Sequence, residues 1–252
     1  MTPLFSIITV CYNAAQTLPD TIASLRAQTW RDYEYVVVDG ASSDATLQIL
    51  DDNADLIDVK VTERDAGIYD AMNKAVGLCC GRYLFFLNAD DRFCDAEVLA
   101  DVAAFLSSHL DADLVYGNIV VRGENGHLDR QSFDWVTHEN ILYGHLCHQA
   151  AFTHRRLFDD YGNFNLKFPI NADYDWLLRV FQGKTRVRYL DRDLTVFYAG
   201  GRHAQDRGRL QNERKQVRLQ YTTPLSLALG DFAFRAKRKL KKMFQSTGGG
   251  YG

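Results

Sequence analysis

The first hundred residues alternate short apolar runs with longer segments of helical spacing. The apolar runs predict strands at Phe5–Cys11, Tyr35–Val38, Val59–Thr62, Tyr83–Leu87 and Leu114–Tyr116. The helical spacing predicts helices at Thr17–Gln28, Ala45–Asp51, Ile68–Leu78 and Ala96–Ser107. Strands that are apolar throughout are typical of a parallel sheet with helices on both faces. The pattern therefore predicts an α/β fold with a mostly parallel sheet.

The pattern changes after Gly117, where segments become shorter, more aromatic and less periodic. We interpret residues 1–117 and 118–205 as two halves of one domain built on the same sheet. Residues 206–245 read as a basic helical tail, and residues 246–252 as a flexible end.

Charge is distributed unevenly along the chain. The net charge is −3, but Arg202–Lys242 holds twelve Lys and Arg against three Asp and Glu, a local +9 that leaves −12 on the remainder. An acidic body argues against nucleic acid as a partner. The tail combines cations with apolar residues, so it either lies in the headgroup layer of an anionic membrane or packs one face on the body.

The five cysteines show neither disulfide-framework nor zinc-site spacing, which favours reduced thiols in a cytosolic protein. The N-terminus has no signal-peptide pattern, and no run reaches the roughly 18 apolar residues of a membrane span. We therefore expect a cytoplasmic protein that associates peripherally with the inner face of the membrane through its tail.

Polar residues cluster where three predicted strands end, at residues 11–13, 39–44 and 88–91. The carboxyl ends of parallel strands meet at one edge of a sheet, where ligands bind. Such residues are also common in turns, so helix capping by Asp44 competes with a ligand contact. Turn geometry does not require the adjacent carboxylates Asp90 and Asp91, whereas a divalent cation would relieve their repulsion. The lack of a Gly-rich phosphate loop argues against a dinucleotide or ATP site.

Motifs in a fixed order over about Ser6–Gly201 resemble the family-two glycosyltransferases of the GT-A fold, particularly those of bacterial polysaccharide synthesis. The run SIITVCYN from Ser6 resembles the opening strand, VDGASSDAT from Val38 the base-binding loop, and ERDAGIYDAMNK from Glu63 the phosphate-lining segment. The resemblance implies a Rossmann-like sheet flanked by helices, in which residues 1–117 bind the nucleotide sugar and 118–205 the acceptor. The nucleotide-binding residues that it implies are Thr9, Cys11, Tyr12, Asn13, Asp39, Asp65, Gly67, Asn88 and Ala89.

The run NADD from Asn88 stands where the family carries its D-x-D motif, with Asn in place of the first Asp. The resemblance implies that Asn88 contacts a ribose hydroxyl, and that Asp90, supported by Asp91, binds Mn²⁺ or Mg²⁺. The loop YAGGRH from Tyr198 resembles the segment that closes over the donor. There His203 is a departure, and it is either a further metal ligand or an exposed loop residue.

The pair His148 and Gln149 resembles an acceptor-side motif of the family, the alternative for His148 being a buried histidine in a strand. The run NADYDWLLR from Asn171 matches the segment that bears the catalytic base, which implies that Asp173 is the base. Stabilisation of the helix start is sufficient to explain Asp175, and an ion pair four residues apart explains Arg179.

The resemblance implies an inverting, metal-dependent glycosyltransferase (a hexosyltransferase) with a nucleotide-sugar donor, in the first place a UDP-sugar. The implied acceptor is an oligosaccharide or a polyprenyl-diphosphate-linked saccharide in bacterial surface polysaccharide synthesis. One alternative is a nucleotidyltransferase, which needs a Gly-rich, basic loop that Thr9–Ala15 lacks. A non-catalytic nucleotide-sugar-binding module is another, and it would have no use for Asp173.

Overall fold

A computed structural model describes residues 2–123, 125–198 and 207–247. The strands are Phe5–Cys11 (β1), Tyr33–Asp39 (β2), Val59–Thr62 (β3), Tyr83–Phe86 (β4), Arg92–Phe93 (β5), Leu114–Arg122 (β6), Leu128–Gln131 (β7), Ala151–His154 (β8) and Val187–Tyr198 (β9). The α-helices are Leu18–Arg26 (α1), Thr46–Asp52 (α2), Ile68–Leu78 (α3), Val98–Ser108 (α4), Arg156–Tyr161 (α5), Ala172–Gln182 (α6), Arg207–Arg218 (α7) and Pro224–Thr247 (α8). A 3₁₀ turn, His148–Ala150, directly precedes β8.

The described strands form one sheet in the order β3-β2-β1-β4-β8-β6-β9-β5, and β7 pairs with β6. The first four strands are parallel, as the apolar runs predict. Beyond β4 the sheet is mixed, because β8 runs antiparallel to β4 and β6, and β5 and β7 are antiparallel to their partners. β6 and β9 are again parallel, with eight paired residues, so the expectation of a mostly parallel sheet is confirmed and the antiparallel pairings are short ones. The chain enters β8 at the carboxyl edge of the sheet, so β8 runs from this edge toward the opposite one, antiparallel to β4.

The central strands β1, β2 and β4 are buried on both faces, which explains their continuous apolar sequences. In β1, Phe5 and Ile7 pack into a core with residues of α1, α2 and α4, whereas Ile8 and Val10 pack into a second core with residues of α3, α5 and α6. Successive side chains of a strand point to opposite faces. A strand covered on both faces therefore needs apolar residues at nearly every position.

The entry into β8 places the second half of the chain against the first. Leu84 pairs with Thr153 and Tyr83 with His154, so the start of β8 lies beside the end of β4. The Phe152 ring anchors β8, since its centroid lies 5.2 Å from that of Phe5 and 4.2 Å from that of Phe85. The turn at residues 148–150 is thereby held at the carboxyl edge.

Helix α7 fixes the start of α6. The Glu213 carboxylate accepts hydrogen bonds from the backbone N–H groups of Ile170 at 2.9 Å and Asn171 at 3.3 Å. The Asn171 amide in turn donates to the Leu210 carbonyl at 3.0 Å. The N-terminus of α6, which carries Asp173, is thus tied to the basic region of the chain.

Helix α8 has one face on the body and another in solvent. Leu227 is buried, and the Phe234 ring centroid lies 5.4 Å from that of Trp135. Leu225, Leu229 and Phe232, spaced four and three residues apart, are 71%, 62% and 76% exposed. Spacing of this kind places them on one face of a helix. Within the described ranges, no helix combines the length and apolar character that crossing a membrane requires.

We predict that Phe152→Ala lowers the free energy of unfolding by about 3–5 kcal/mol, because it removes the aromatic anchor of β8 from a close-packed core. Urea unfolding monitored by circular dichroism measures the loss. Leu128→Ala, at a side chain that is 52% exposed on β7, is the control and should change stability by less than about 0.5 kcal/mol. A loss at Phe152 as small as that of the control would contradict the anchoring role.

Candidate active site

The carboxyl ends of β1, β2 and β4 lie side by side at one edge of the sheet. Cys11 and Asp39, the last residues of β1 and β2, are paired in register. The Leu87 N–H donates to the Ile8 carbonyl at 2.8 Å, so the turn after β4 starts next to β1. The three polar segments of the sequence therefore share one edge, which is where open parallel sheets bind ligands.

The loops after β1 and β2 are bonded to each other. The Asn13 N–H donates to the Ser42 hydroxyl at 2.8 Å, and the Ser43 N–H donates to the Asn13 side-chain oxygen at 2.8 Å. Asp39 is fully buried, and its carboxylate accepts from the Ser42 N–H at 2.9 Å and from the Ser42 hydroxyl. Asp39 thus holds its own loop in shape.

Side chains at the end of β1 divide between the interior and the surface. The Thr9 hydroxyl donates to the Leu87 carbonyl at 2.7 Å and accepts from the Tyr35 hydroxyl at 2.9 Å, so it faces the sheet interior and offers a ligand no surface. Burial and the neighbouring Asp39 raise the pKa of the Cys11 thiol, which keeps it protonated. Tyr12, by contrast, is 49% exposed. It presents an aromatic face at the site.

Two glycines shape the backbone at the site, Gly40 by allowing close packing and Gly67 by its positive φ. A Cβ at Gly40 would lie 2.5 Å from the Asp65 Oδ2 atom and 3.3 Å from the Tyr12 ring. Gly67 has φ +126°, which L side chains rarely adopt, and its N–H donates to Asp65 Oδ1 at 2.9 Å. The Tyr12 and Asp65 side chains therefore pack directly against the Gly40 backbone at the end of β2.

The turn after β4 is fixed to α1. The Asp91 N–H donates to the Asn88 carbonyl at 3.0 Å, and the Thr21 hydroxyl donates to the Asp91 carbonyl at 2.7 Å. Asn88 and Ala89 are buried, Asp90 is half-buried and Asp91 is only 1% exposed. Asp91 is therefore the deeper of the two carboxylates.

The Asp91 carboxylate lies in an unfavourable place for a negative charge. Within the described ranges, neither of its oxygens has a hydrogen-bond partner of ordinary geometry. Burial, and next the charge of Asp90, raise its pKa well above the usual range, although the Gln149 amide and the Tyr198 backbone act in the opposite sense. Buried polar atoms normally have partners, so a hard cation fits this position.

The neighbouring cavity carries charges of both signs. Its lining includes Asp20, Asp90, Asp91, Arg92 and Arg122. Over the part of the chain that the structure describes, no cluster of three or more His, Cys, Asp or Glu forms a metal site. His203, which the sequence suggests as a further ligand, lies outside the described residues.

Asp173, His148 and Asn88 form a continuous chain of hydrogen bonds. Nδ1 of the His148 imidazole lies 2.9 Å from Asp173 Oδ2, and its Nε2 lies 3.0 Å from the Asn88 amide nitrogen. All three residues are less than 9% exposed. The turn after β4 and the first turn of α6 are therefore joined by one imidazole. His148 lies between the two halves of the site.

The Asp173 carboxylate is held by several donors. Its Oδ1 accepts from the Tyr69 hydroxyl at 2.9 Å and from the Tyr174 N–H at 2.8 Å. Burial acts to raise its pKa, but the hydrogen bonds from His148 and from the Tyr69 hydroxyl hold the pKa well below its usual range. Asp173 is therefore ionised at neutral pH.

Sequence reasoning did not find Tyr69. The residue occupies a buried position of α3, where an aromatic side chain is typical of a core, and only the contact with Asp173 reveals its second role. It could be found from the sequence only by knowing that α3 and α6 pack on the same face of the sheet. In the same contact, burial and the charge of Asp173 raise the pKa of the Tyr69 hydroxyl.

Gln149 and Asp175 have local roles in the structure. The Gln149 amide is buried beside Asp91, and its backbone carbonyl accepts from the Thr195 hydroxyl at 2.9 Å. The buried Asp175 carboxylate accepts a hydrogen bond from Arg179 at 3.2 Å, which is the ion pair expected from their spacing. Arg179 also donates to the backbone carbonyl of Asn163 at 2.7 Å. This pair therefore ties α6 to the preceding loop.

Solved structures with a similar fold define the class of the fold. Staphylococcus aureus TarS aligns with a TM-score of 0.70 and 23% identity over 86% of this chain and 39% of TarS. A Pyrobaculum calidifontis mannosyltransferase in complex with GDP-Man and Mn²⁺ aligns with a TM-score of 0.61 and 18% identity over 98% of this chain and 80% of its own. The fold is that of the GT-A glycosyltransferases.

Sequence comparison identifies the family. Glycosyl transferase family 2 matches residues 6–179. A PGL/p-HBAD biosynthesis glycosyltransferase of Mycobacterium tuberculosis is 39% identical over 196 residues, covering 75% of this chain and 74% of its own. The putative teichuronic acid biosynthesis glycosyltransferase TuaG of Bacillus subtilis is 37% identical over 94 residues, or 36% of this chain and 37% of its own. The chain belongs to glycosyl transferase family 2 and is a glycosyltransferase, as the motifs predict.

Proposed function

We propose that this glycosyltransferase moves a hexose from a nucleotide sugar to a saccharide acceptor with inversion at the anomeric carbon, using a divalent metal. The observation that carries the proposal is the shared site after β4. There the Asn88–Asp91 turn and Asp173 meet through His148. A donor-side group and an ionised carboxylate are thus brought together from opposite halves of the chain.

Asp173 supplies the base for the reaction. The acceptor hydroxyl is a poor nucleophile until a carboxylate takes its proton. Asp173 is ionised and held rigidly by Tyr69 and His148, whereas the next carboxylate along α6, Asp175, is bonded to Arg179. With Asp175 engaged by Arg179, Asp173 is the carboxylate of α6 that we assign as base. A single base favours a single displacement, in which the acceptor attacks directly and the anomeric centre inverts.

Asp90 and Asp91 would hold the metal, either Mn²⁺ or Mg²⁺. When bound, a divalent cation neutralises the charge of the departing diphosphate. The Asp91 carboxylate, whose oxygens have no hydrogen-bond partner of ordinary geometry among the described residues, supports a cation at this position. So does the presence of Mn²⁺ in structures of the mannosyltransferase with GDP-Man and of GalNAc-T7 with UDP and GalNAc.

A UDP-sugar is the donor we propose, and a saccharide of bacterial surface polysaccharide or glycolipid synthesis the acceptor. One support is a structure of TarS residues 1–349 in complex with UDP-GlcNAc, which aligns with a TM-score of 0.67. The names of the mycobacterial and Bacillus relatives support the acceptor class. A screen of nucleotide release from UDP- and GDP-sugars, with Mn²⁺ and lipid-linked or synthetic acceptors, tests both choices. Release with neither nucleotide class would contradict the proposal.

We predict that Asp173→Asn lowers turnover by on the order of a hundredfold or more while donor affinity stays near wild type, because only proton removal is lost. Asp175→Asn is the matched control on the same helix and should retain most activity. Steady-state kinetics and donor titration measure the two effects. A more severe loss in the Asp175 variant would reverse the assignment.

We predict that Asp90→Asn reduces turnover at least about a hundredfold with a nearly unchanged thermal transition, because a half-buried metal ligand is lost without a packing defect. Excess EDTA should inactivate the wild type, and added Mn²⁺ should restore it. Asp20→Asn, on α1 at the cavity wall, is the control for a simple loss of charge. Full wild-type activity in excess EDTA would rule out the metal.

The enzyme is proposed to act as a cytoplasmic protein at the inner face of the membrane, on a polyprenyl-diphosphate-linked acceptor. The support is α8, whose exposed Leu225, Leu229 and Phe232 precede the exposed cations Arg235, Lys237 and Lys239. Such a segment inserts apolar side chains at the headgroup boundary while each cation near anionic lipid contributes roughly 1 kcal/mol.

We predict that the intact chain floats with liposomes of anionic lipid at low salt, and that replacing Leu225, Leu229 and Phe232 with Ser abolishes flotation. The triple variant keeps Leu227 and Phe234, through which α8 contacts the body. Leu128→Ser is the control for an exposed apolar residue elsewhere. Truncation after Thr223 should match the triple variant. Equal flotation of the wild type and the triple variant, or none by either, would remove the membrane proposal.

A further inference from the structure

We infer that Asn88 is a positioning residue that holds His148 as a neutral imidazole with its proton on Nδ1, and thereby keeps Asp173 basic enough to act. The inference rests on the proposed function, which assigns the base role to Asp173. It explains why this chain has Asn at the first position of the D-x-D motif, a difference from the family pattern that the sequence alone does not explain.

The hydrogen bonds define the protonation state of His148. Its Nε2 faces the Asn88 amide nitrogen at 3.0 Å, and an amide nitrogen can only donate. Nε2 must therefore accept, which leaves the single imidazole proton on Nδ1. That proton points at Asp173 Oδ2, 2.9 Å away. The arrangement is satisfied by the neutral form of His148.

Aspartate at position 88 would reverse this state. A carboxylate only accepts, so Nε2 would have to carry a proton and the ring would lie between two carboxylates as an imidazolium. A full positive charge beside Asp173 stabilises its ionised form more than a neutral N–H does. Asp173 would then be a weaker base.

The oxygen atom of the Asn88 amide can accept a hydrogen bond from the nucleotide-sugar donor. The Asn88 Oδ1 atom is buried and has no hydrogen-bond partner within the described residues. A buried unpaired carbonyl is unfavourable. A hydroxyl of the nucleotide-sugar donor can donate a hydrogen bond to this oxygen without disturbing the contact between Asn88 and His148. Asn88 therefore links donor binding on one side with the state of the base on the other.

Other charged groups around His148 act in both directions. Asp173 from α6 contacts His148 and favours an imidazolium, whereas the neighbouring His145 disfavours a positive charge on His148. Tyr69 from α3 contacts Asp173 from the side opposite His148. Because these groups oppose one another, the single contact on Nε2 decides which form His148 adopts.

Nitrogen-15 NMR of the histidine side chains tests the inference on the intact protein without any substrate. At pH 7.5 the wild-type His148 signal should be that of a neutral ring protonated on Nδ1, and Asn88→Asp should convert it to a doubly protonated ring. His148→Gln assigns the signal. Asn53→Asp, the same change at the end of α2, is the matched control and should leave the wild-type pattern.

A wild-type ring that is protonated on Nε2, or doubly protonated at pH 7.5, would overturn the inference whether or not any variant folds. So would a neutral His148 in a folded Asn88→Asp variant. A neutral His148 in the Asn88→Asp variant together with an inactive Asp173→Asn variant refutes this inference alone, whereas an active Asp173→Asn variant refutes the proposed function.

Discussion

The site depends on one imidazole held between an amide and a carboxylate. His148 is the contact through which the turn after β4 and the start of α6 act as one unit, and it is buried, so water does not compete for its two hydrogen bonds. In a low-dielectric setting such a chain is strong when every member is paired and unfavourable when one is not. The geometry of the base is therefore set by residues far apart in the sequence.

The reversal of the chain at β8 makes this contact possible. A strand that enters the sheet at the carboxyl edge brings the turn before it to the loops after β1, β2 and β4, and the Phe152 ring holds it there. On the other side, Glu213 of α7 fixes the start of α6. The basic C-terminal region thus has a structural connection to the site in addition to its proposed contact with the membrane.

Periodicity in the sequence was sufficient for the first half of the fold. The bounds of β1, β3 and α3 were predicted to the residue. A strand buried on both faces, such as β1, and an amphipathic helix such as α3 leave clear patterns. The antiparallel β8 was not predicted, since four residues of strand carry no sign of direction. The family motifs identified Asn88, His148 and Asp173 as candidate site residues. Their mutual contact could not be predicted, because it depends on the order and direction of the strands. Thr9 was predicted to bind the nucleotide, but its position near a strand end does not reveal that its hydroxyl faces inward.

The central claim is that the Asn88–Asp91 turn and Asp173 serve one reaction. A crystal structure of the Asp173→Asn variant with an intact nucleotide-sugar donor and Mn²⁺ tests it most directly. The account predicts a diphosphate and metal at Asp90 and Asp91, with the anomeric carbon facing the side chain at position 173 from the side opposite the leaving group. A donor whose anomeric carbon is turned away from position 173, or whose diphosphate lies remote from Asp90, would contradict it.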